Sequence, residues 1–300
     1  MNDFYLTHSQ FTDPGAMAPW LDGAGSSLQE LREAASRMVF HYWGHGDITE
    51  HGFSPDRMSE YDLRYADDML RRLHELDPTA PGADRAPTER IIGGCRDFTV
   101  LFLAMARHRA IPARARAGFA TYLIAGWAVD HCVAEVWDAD ERRWRLVEPQ
   151  FDSGHVDPGD GAEIDLLDVP RDRFIVGAAA WQLCRSGAVD PERYVVAPDI
   201  PIPFLRGLPY VRHNLIFDLA GLNRYEMIFR DVWGGLNAAP TVDESTASRM
   251  DELAALLERP TVTTEQIRNA FDTEELRVPR RIRTFRPPDP VPQPVVLRAD

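Results

Sequence analysis

The feature that most constrains this chain is Gly93-Gly94-Cys95-Arg96-Asp97-Phe98, a glycine turn that leads directly into an apolar helical pattern. Apolar residues recur at intervals of three and four, which predicts a helix from Cys95 to His108. The helix has to stop before Ile111-Pro112, because the residue before a proline avoids helical backbone angles. A cysteine in the first helical turn lies among unpaired N–H groups at the positive end of the helix dipole, which favour the reactive thiolate.

Predicted strands downstream of this helix carry a histidine and a carboxylate. Residues 113–123 are predicted to form one strand, and residues 131–137 and 143–147 the two arms of a hairpin. Cysteine, histidine and carboxylate therefore follow one another in the order helix start, strand and neighbouring strand.

The alternation of side chains along a strand shows whether the histidine and the carboxylate can lie on the same face of the hairpin. His131 and Trp137 share one face of the first arm, since side chains alternate along a strand. If Trp137 faces Trp144, the antiparallel register of the hairpin is set. That register places Gln150 opposite His131 and Glu148 on the diagonal, about 7–8 Å away and within reach of a long side chain. A carboxylate at this position would orient the imidazole and stabilise its protonated form.

Composition narrows the class of protein. The chain has 300 residues, of which 44% are hydrophobic, and this suits a globular protein with a sizeable core. The formal net charge of −14 argues against general nucleic-acid binding, because phosphates would be repelled over most of the surface. The N-terminus has no secretion signal, and no apolar run approaches the roughly 20 residues of a membrane span. We therefore expect a cytoplasmic protein without a membrane partner.

The cysteines and basic residues disfavour several kinds of chemistry. Cys95, Cys132 and Cys184 are an odd number without a paired CxxC motif, which favours reduced thiols over a disulfide framework or a zinc site. All 33 basic residues are arginines, so no lysine is present to act as a Schiff base or general base. We therefore expect no cofactor.

Patterning along the chain predicts four segments. These are an N-terminal helical region over residues 1–90, a catalytic core over 91–165, a helical C-terminal extension over 166–277, and a tail over 278–300. The tail is rich in proline and arginine, which is typical of an extended or disordered segment, although it could also lie across the acidic body. Helices outside the core are predicted over residues 27–43, 61–76, 172–185, 215–232, 250–257 and 264–271.

Four motifs taken together resemble one protein family. They are Gly-Gly-Cys-Arg-Asp-Phe, then Ala-Ile-Pro-Ala-Arg with Ala-Gly-Phe, then His-Cys-Val-Ala-Glu-Val-Trp, and then Trp-Arg-Leu-Val-Glu-Pro-Gln. The chain resembles the bacterial transglutaminase-like superfamily over residues 93–150. Residues 180–187 and 218–226 are similar to a C-terminal extension found in one uncharacterised bacterial branch. The resemblance implies an α+β fold with a papain-like core, in which the nucleophile helix packs on an antiparallel sheet and further helices lie at both ends.

The resemblance also implies roles for individual residues. Cys95 corresponds to the nucleophile of a catalytic triad and His131 to its base. The family usually has Asp-Pro where this chain has Glu148 before a proline, so Glu148 takes the third position with one extra methylene. Asp152 is the rival third member.

The implied reaction is acyl transfer through a thioester on Cys95. The family includes peptidases, amidases, true transglutaminases and amide-forming acyltransferases, so the reaction is amide or thioester cleavage or amide formation by aminolysis. We expect a small-molecule, peptide or carrier-bound acyl substrate, and we predict Trp127, Tyr42 and Trp43 as substrate-binding residues.

Two other functions stay open from the sequence. His41, His45 and His51 occur within eleven residues, with Asp47 between them, and three histidines are enough for a zinc site. Gly44 and Gly46 interrupt the helix that would hold the first two on one face. The other alternative is a catalytically inactive transglutaminase-like interaction module.

Overall fold

The computed structural model describes residues 3–235, 239–286 and 289–299. Contacts divide the chain into two compact units, each built from three separate stretches. The first unit comprises Met1–Ala115, Val133–His155 and Asp165–Val169, and the second comprises Arg116–Cys132, Val156–Ile164 and Pro170–Asp300. The division into four consecutive segments stays a prediction.

The fold is α+β, as predicted. Helices of the first unit are α1 (Ala18–Leu21), α2 (Leu28–Met38), α3 (Tyr42–His45), α4 (Ala66–Leu76) and α5 (Cys95–His108). Helices of the second unit are α6 (Gly177–Arg185), α7 (Gly207–Leu222), α8 (Glu244–Leu257) and α9 (Thr264–Phe271). The predicted bounds of α5 and α9 are confirmed.

Strands in the described residues form one main sheet and two smaller ones. They are β1 (Val39–His41), β2 (Ile91–Gly93), β3 (Ala113–Ala120), β4 (Ala128–Asp138), β5 (Arg143–Val147), β6 (Phe174–Val176), β7 (Tyr194–Val195), β8 (Asp231–Val232), β9 (Arg281–Arg286) and β10 (Asp289–Val296). The main sheet has the order β5-β4-β3-β6, and β7 pairs with β4 in parallel. The hairpin register is confirmed, because Trp137 pairs with Trp144 and their ring centroids lie 5.5 Å apart.

Several predicted helices have different bounds in the structure. The helix predicted over residues 27–43 stops at Met38, because Val39–His41 pair in parallel with Ile91–Gly93. The helix predicted over 61–76 starts at Ala66, after a 3₁₀ segment at Pro55–Asp62.

In the second unit, the helix predicted over residues 172–185 starts at Gly177, because Phe174–Val176 form a strand on β3. The helix predicted over residues 215–232 is wrong in both bounds, because α7 begins earlier, at Gly207, and ends at Leu222. Nearly every residue of α7 is buried, so the helix lacks the one-sided apolar stripe from which bounds are read. The helix predicted over 250–257 begins earlier, at Glu244.

The proline- and arginine-rich tail is ordered where the structure describes it. Strands β9 and β10 form an antiparallel hairpin, and β8 pairs with the other edge of β9. Ile282 and Thr284 are buried while Arg281 and Arg283 are exposed, which is the alternation of a strand with one covered face. Of the two predicted alternatives, the described part of the tail is therefore extended, and its strands are paired.

Each unit has its own buried helix. In the first unit α5 packs against α2 and α4, and most of its side chains are buried. In the second unit α7 packs against α6 and is tied to β3 by a buried ion pair, in which Arg116 Nε donates to Asp218 Oδ1 at 2.8 Å and Arg116 Nη2 to Oδ2 at 2.8 Å. Among the described residues, no helix has both the length and the apolar character needed to cross a bilayer.

The turn from β2 into α5 leaves no room for a side chain at Gly93. A Cβ atom there would lie 2.7 Å from Asp97 Oδ2 and 2.8 Å from Val39 Cγ1. At Gly94 a Cβ atom would meet only the Tyr61 ring, at 3.5 Å, which is an ordinary contact.

We predict that Gly93→Ala lowers the free energy of unfolding by roughly 1–3 kcal/mol, the usual cost of overpacking, because both the carboxylate and the valine would have to shift. Gly94→Ala is the matched control, and it should cost less than about 1 kcal/mol. Urea denaturation of the two variants checks the difference. Equal losses would contradict the close packing at Gly93.

Candidate active site

The motif around Cys95 is braced by its own polar side chains. Asp97 Oδ2 accepts the Gly94 N–H at 2.9 Å, and Arg96 Nη1 donates to Asp97 Oδ1 at 3.0 Å. Arg96 Nη2 also donates to the Arg64 carbonyl at 2.5 Å. The acid and the arginine of the motif are therefore used to hold the turn. Cys95 itself begins α5 and is half-buried.

Aromatic side chains lie beside this turn. Tyr61 borders Gly94, and its ring packs edge-on against Tyr42 with centroids 4.5 Å apart. Trp43 is 47% exposed, and its indole N–H contacts the Tyr42 hydroxyl. Two of the three predicted substrate-binding residues thus share an aromatic cluster with Tyr61. Sequence reasoning missed Tyr61, because its 3₁₀ segment has no periodic pattern that would mark it.

His131 lies on β4 in the second unit and is 1% exposed. Its ring packs edge-on against Tyr122 at 6.2 Å and against Phe174 at 6.3 Å, measured between centroids. These aromatic contacts restrict the orientation of the imidazole.

A second titratable group precedes this histidine on the strand. The Tyr210 hydroxyl donates to Asp130 Oδ2 at 2.6 Å. Desolvation raises the pKa of Asp130 to about 7, against the opposing effects of the Tyr210 hydrogen bond and the charge of His131. Tyr210 is on α7, so this pair fixes β4 to the central helix of the second unit.

Glu148 follows β5 in the first unit and is completely buried. Its backbone N–H donates to the Leu166 carbonyl at 2.8 Å, so its backbone no longer continues the hairpin ladder. Its Oε1 accepts the Gln150 N–H at 2.9 Å. The other buried acid of the hairpin, Glu135, pairs with Arg114 at 2.7 Å.

A buried guanidinium supports the segment after Glu148. Arg32, on α2, is 1% exposed, donates to the Phe151 carbonyl and lies 3.2 Å from Ser153 Oγ. Desolvation lowers the pKa of Arg32, and the charges of Glu33, Asp152 and Glu148 oppose that effect. Arg32 therefore places a positive charge near Glu148.

Asp152, the rival third member, has a different environment. It is exposed, and its Oδ1 accepts a hydrogen bond from Ser36 Oγ at 3.4 Å. The two candidate carboxylates thus differ in solvation, one being enclosed and the other in water.

Trp127 lies in the second unit and lines a cavity together with Arg193 and Tyr194. The Arg193 guanidinium carbon lies 5.0 Å from the centre of its ring, and that of Arg206 lies 5.9 Å away. Substrate binding by Trp127 stays a prediction.

The three histidines of the metal alternative make hydrogen bonds with the backbone. His41 Nδ1 accepts the Gly44 N–H at 3.0 Å, His45 Nδ1 lies 2.9 Å from the His41 carbonyl, and His51 Nε2 lies 2.9 Å from the His45 carbonyl. Among the residues that the structure describes, no cluster of three or more histidine, cysteine or acidic residues is arranged to hold a metal ion. These rings cap turns, and the metal alternative has no geometric support.

The two other cysteines are buried. Cys132 is 5% exposed and Cys184 is 7% exposed. Burial, with a smaller contribution from the charge of Asp190, raises the pKa of Cys184 to about 12. Neither thiol lies at the start of a helix, so Cys95 is distinct from both.

Comparison with known proteins confirms the resemblance for part of the chain. Residues 65–149 match the sequence model of the Transglutaminase-like superfamily, and this stretch contains Cys95, His131 and Glu148. A solved structure of a "Putative Cysteine Protease" from Cytophaga hutchinsonii is similar at 16% sequence identity with a TM-score of 0.36. That similarity covers 59% of this chain and 46% of the other, which is less than half of that protein's length. No protein of curated function matches the sequence.

The Asp130 carboxyl predicts a pH dependence of stability. Its pKa is 3.8 without the fold and about 7 within it, so between these pH values the folded state binds the additional proton. The free energy of unfolding contributed by this group therefore falls as pH rises, by at most about 1.4 kcal/mol per pH unit.

Urea denaturation at several pH values, with the wild type compared to Asp130→Asn, measures this contribution. The asparagine keeps an acceptor for Tyr210 and removes the titration, so the wild type should lose stability relative to the variant as pH rises from about 4 to 7. Asp140→Asn, at an exposed turn position, is the control and should follow the wild type. A wild-type curve parallel to that of Asp130→Asn would contradict the raised pKa.

Proposed function

Because residues 65–149 match the sequence model of the Transglutaminase-like superfamily, we propose that this protein is a cysteine-dependent acyl-transfer enzyme that forms a thioester on Cys95. The position of Cys95 supports this most directly, since it is the first residue of α5 and the half-buried one of the three cysteines. Helix N-termini favour thiolates, and thiolates are the reactive form.

The proposed reaction has two balanced steps. The Cys95 thiolate attacks the acyl carbon, the carbonyl becomes an oxyanion, and the leaving amine or thiol departs with a proton from the His131 imidazolium. Water or an amine then attacks the thioester and gives its proton to His131, which restores the thiolate. The Cys95 N–H is the proposed oxyanion donor, because it lies in the first turn of α5.

We assign the third position to Glu148. The positive charge of Arg32 favours the ionised form of Glu148, and burial strengthens the attraction between a carboxylate and an imidazolium by excluding water. Asp152 is exposed and bound to Ser36, so its interaction with an imidazole would be screened by water.

The substrate is proposed to bind beside the aromatic cluster of Tyr42, Trp43 and Tyr61. This cluster borders the residue before the nucleophile and offers an exposed indole face. Such a surface favours the apolar part of a small-molecule, peptide or carrier-bound acyl donor. The cytoplasmic location and the lack of nucleic-acid and membrane partners stay predictions.

Cys95→Ala tests the nucleophile. With p-nitrophenyl acetate as an acyl donor, the wild type should release p-nitrophenolate and show an acetyl adduct on Cys95 by intact mass and peptide mapping. Cys95→Ala should show neither, while Cys184→Ala, which removes a buried thiol, should behave as the wild type. An undiminished adduct in Cys95→Ala would exclude the proposed nucleophile.

Alkylation separates an active site from an inactive interaction module. At mildly acidic pH, iodoacetamide should modify Cys95 well before Cys132 and Cys184, since both of those are buried and the pKa of Cys184 is raised to about 12. Equally slow reaction at all three thiols would favour the module.

The third member is tested by two isosteric changes. Glu148→Gln should slow thioester formation on Cys95 by roughly 10²-fold or more, because the imidazolium would lose its counter-charge. Asp152→Asn is the matched control and should stay within a few-fold of wild type. The p-nitrophenolate burst rate measures both, and a loss confined to Asp152→Asn would move the assignment to Asp152.

A further inference from the structure

A cavity of about 410 Å³ lies within the second unit, at the start of β4. Ile175, Tyr194 and Ala128 supply apolar wall, and Trp127 also lines the cavity. Asp190 and Arg193 are the charged residues that line it. Its volume is in the range of pockets that hold small organic ligands.

This cavity and the His131 imidazole belong to opposite faces of the sheet. Side chains alternate along β4, so Ala128 and His131 point to opposite sides. The same alternation holds on β6, where Phe174 contacts the His131 ring while its neighbour Ile175 lines the cavity. The cavity is therefore separate from the proposed catalytic imidazole.

The arginine in this cavity is positioned by an aromatic ring. The Arg193 guanidinium stacks over Trp127 at 5.0 Å, and within the described part of the chain it forms no ion pair or hydrogen bond. Stacking uses the flat face of a guanidinium and leaves its N–H donors at the edge. Arg206 also lies over Trp127, but its charge is compensated by Glu192, with Nε 3.2 Å from Oε2.

The acidic residue of the cavity is already engaged with the backbone. Asp190 Oδ1 accepts the Glu192 N–H at 3.0 Å and caps the 3₁₀ turn at Pro191–Arg193. Among the described residues, the guanidinium donors of Arg193 have no such engagement. Arg193 is exposed to solvent, so its donors are open to a ligand, and a guanidinium matches a carboxylate, which accepts two parallel N–H bonds from it.

We propose that this cavity is a binding site for a small carboxylate with an apolar body. The carboxylate pairs with the edge of Arg193, and the apolar body lies against Ile175, Tyr194 and Trp127. This site is independent of the proposed acyl transfer, so failure of one leaves the other to be judged by its own experiment.

Isothermal titration calorimetry with 3-phenylpropionate tests the site, with 3-phenylpropionamide and 3-phenylpropylamine as neutral and cationic analogues. The wild type should bind the carboxylate at least about tenfold more tightly than the amide, the usual effect of a charge-assisted hydrogen bond. Arg193→Gln should abolish this preference. Arg206→Gln is the matched control and should keep it, because that arginine is paired with Glu192.

The location of the bound carboxylate is tested with Cys95→Ala, which should bind 3-phenylpropionate as the wild type does. Four results would each overturn the proposal: no binding of the carboxylate up to about 10 mM, equal affinity for the amide, tighter binding of the amine through Asp190, or an unchanged preference in Arg193→Gln. Loss of binding in Cys95→Ala would place the carboxylate at the thiol instead of this cavity.

Discussion

The close approach of the β2–α5 turn to its surroundings is the constraint on which the first unit depends. Asp97 and Val39 occupy the space where a side chain at position 93 would lie, so any residue other than glycine would displace them. The same carboxylate accepts the Gly94 N–H and receives Arg96. One tight turn thereby sets both the direction of a buried helix and the place of the cysteine that starts it. Reactivity at Cys95 would follow from this backbone geometry.

The second unit depends on how two carboxylates, one on β4 and one on α7, are satisfied. Asp218 is held by both edge nitrogens of Arg116, which offsets the cost of burying its charge. Asp130 accepts a hydrogen bond from the Tyr210 hydroxyl, and desolvation raises its pKa to about 7. Asp218 is therefore held in an ion pair, whereas Asp130 is held by a neutral hydroxyl. Since Asp130 precedes His131 on β4, the strand that carries the imidazole is anchored by a group sensitive to pH near neutrality.

The sequence pattern predicts an element correctly where the residues that determine the element are close together in the chain. Helix α5 and the register of the β4–β5 hairpin follow from apolar spacing, a proline stop and a tryptophan pair, all of which are short-range features. Helix α7 was misplaced because burial on every side removes the periodic signal. The β9–β10 hairpin was missed because its composition matches that of extended linkers, and only pairing between distant segments makes it a sheet.

For the candidate site, the sequence by itself determined residue types and their order, namely a cysteine at a helix start, a histidine on a strand and an acid after the next strand. Tertiary structure alone decided which side chains surround them. It brought Tyr61 beside Gly94, enclosed Glu148 near the charge of Arg32, and left Asp152 in water. The physical reason is that chemical identity and backbone preference are local properties, whereas burial and electrostatic environment are created by segments that are far apart in the chain.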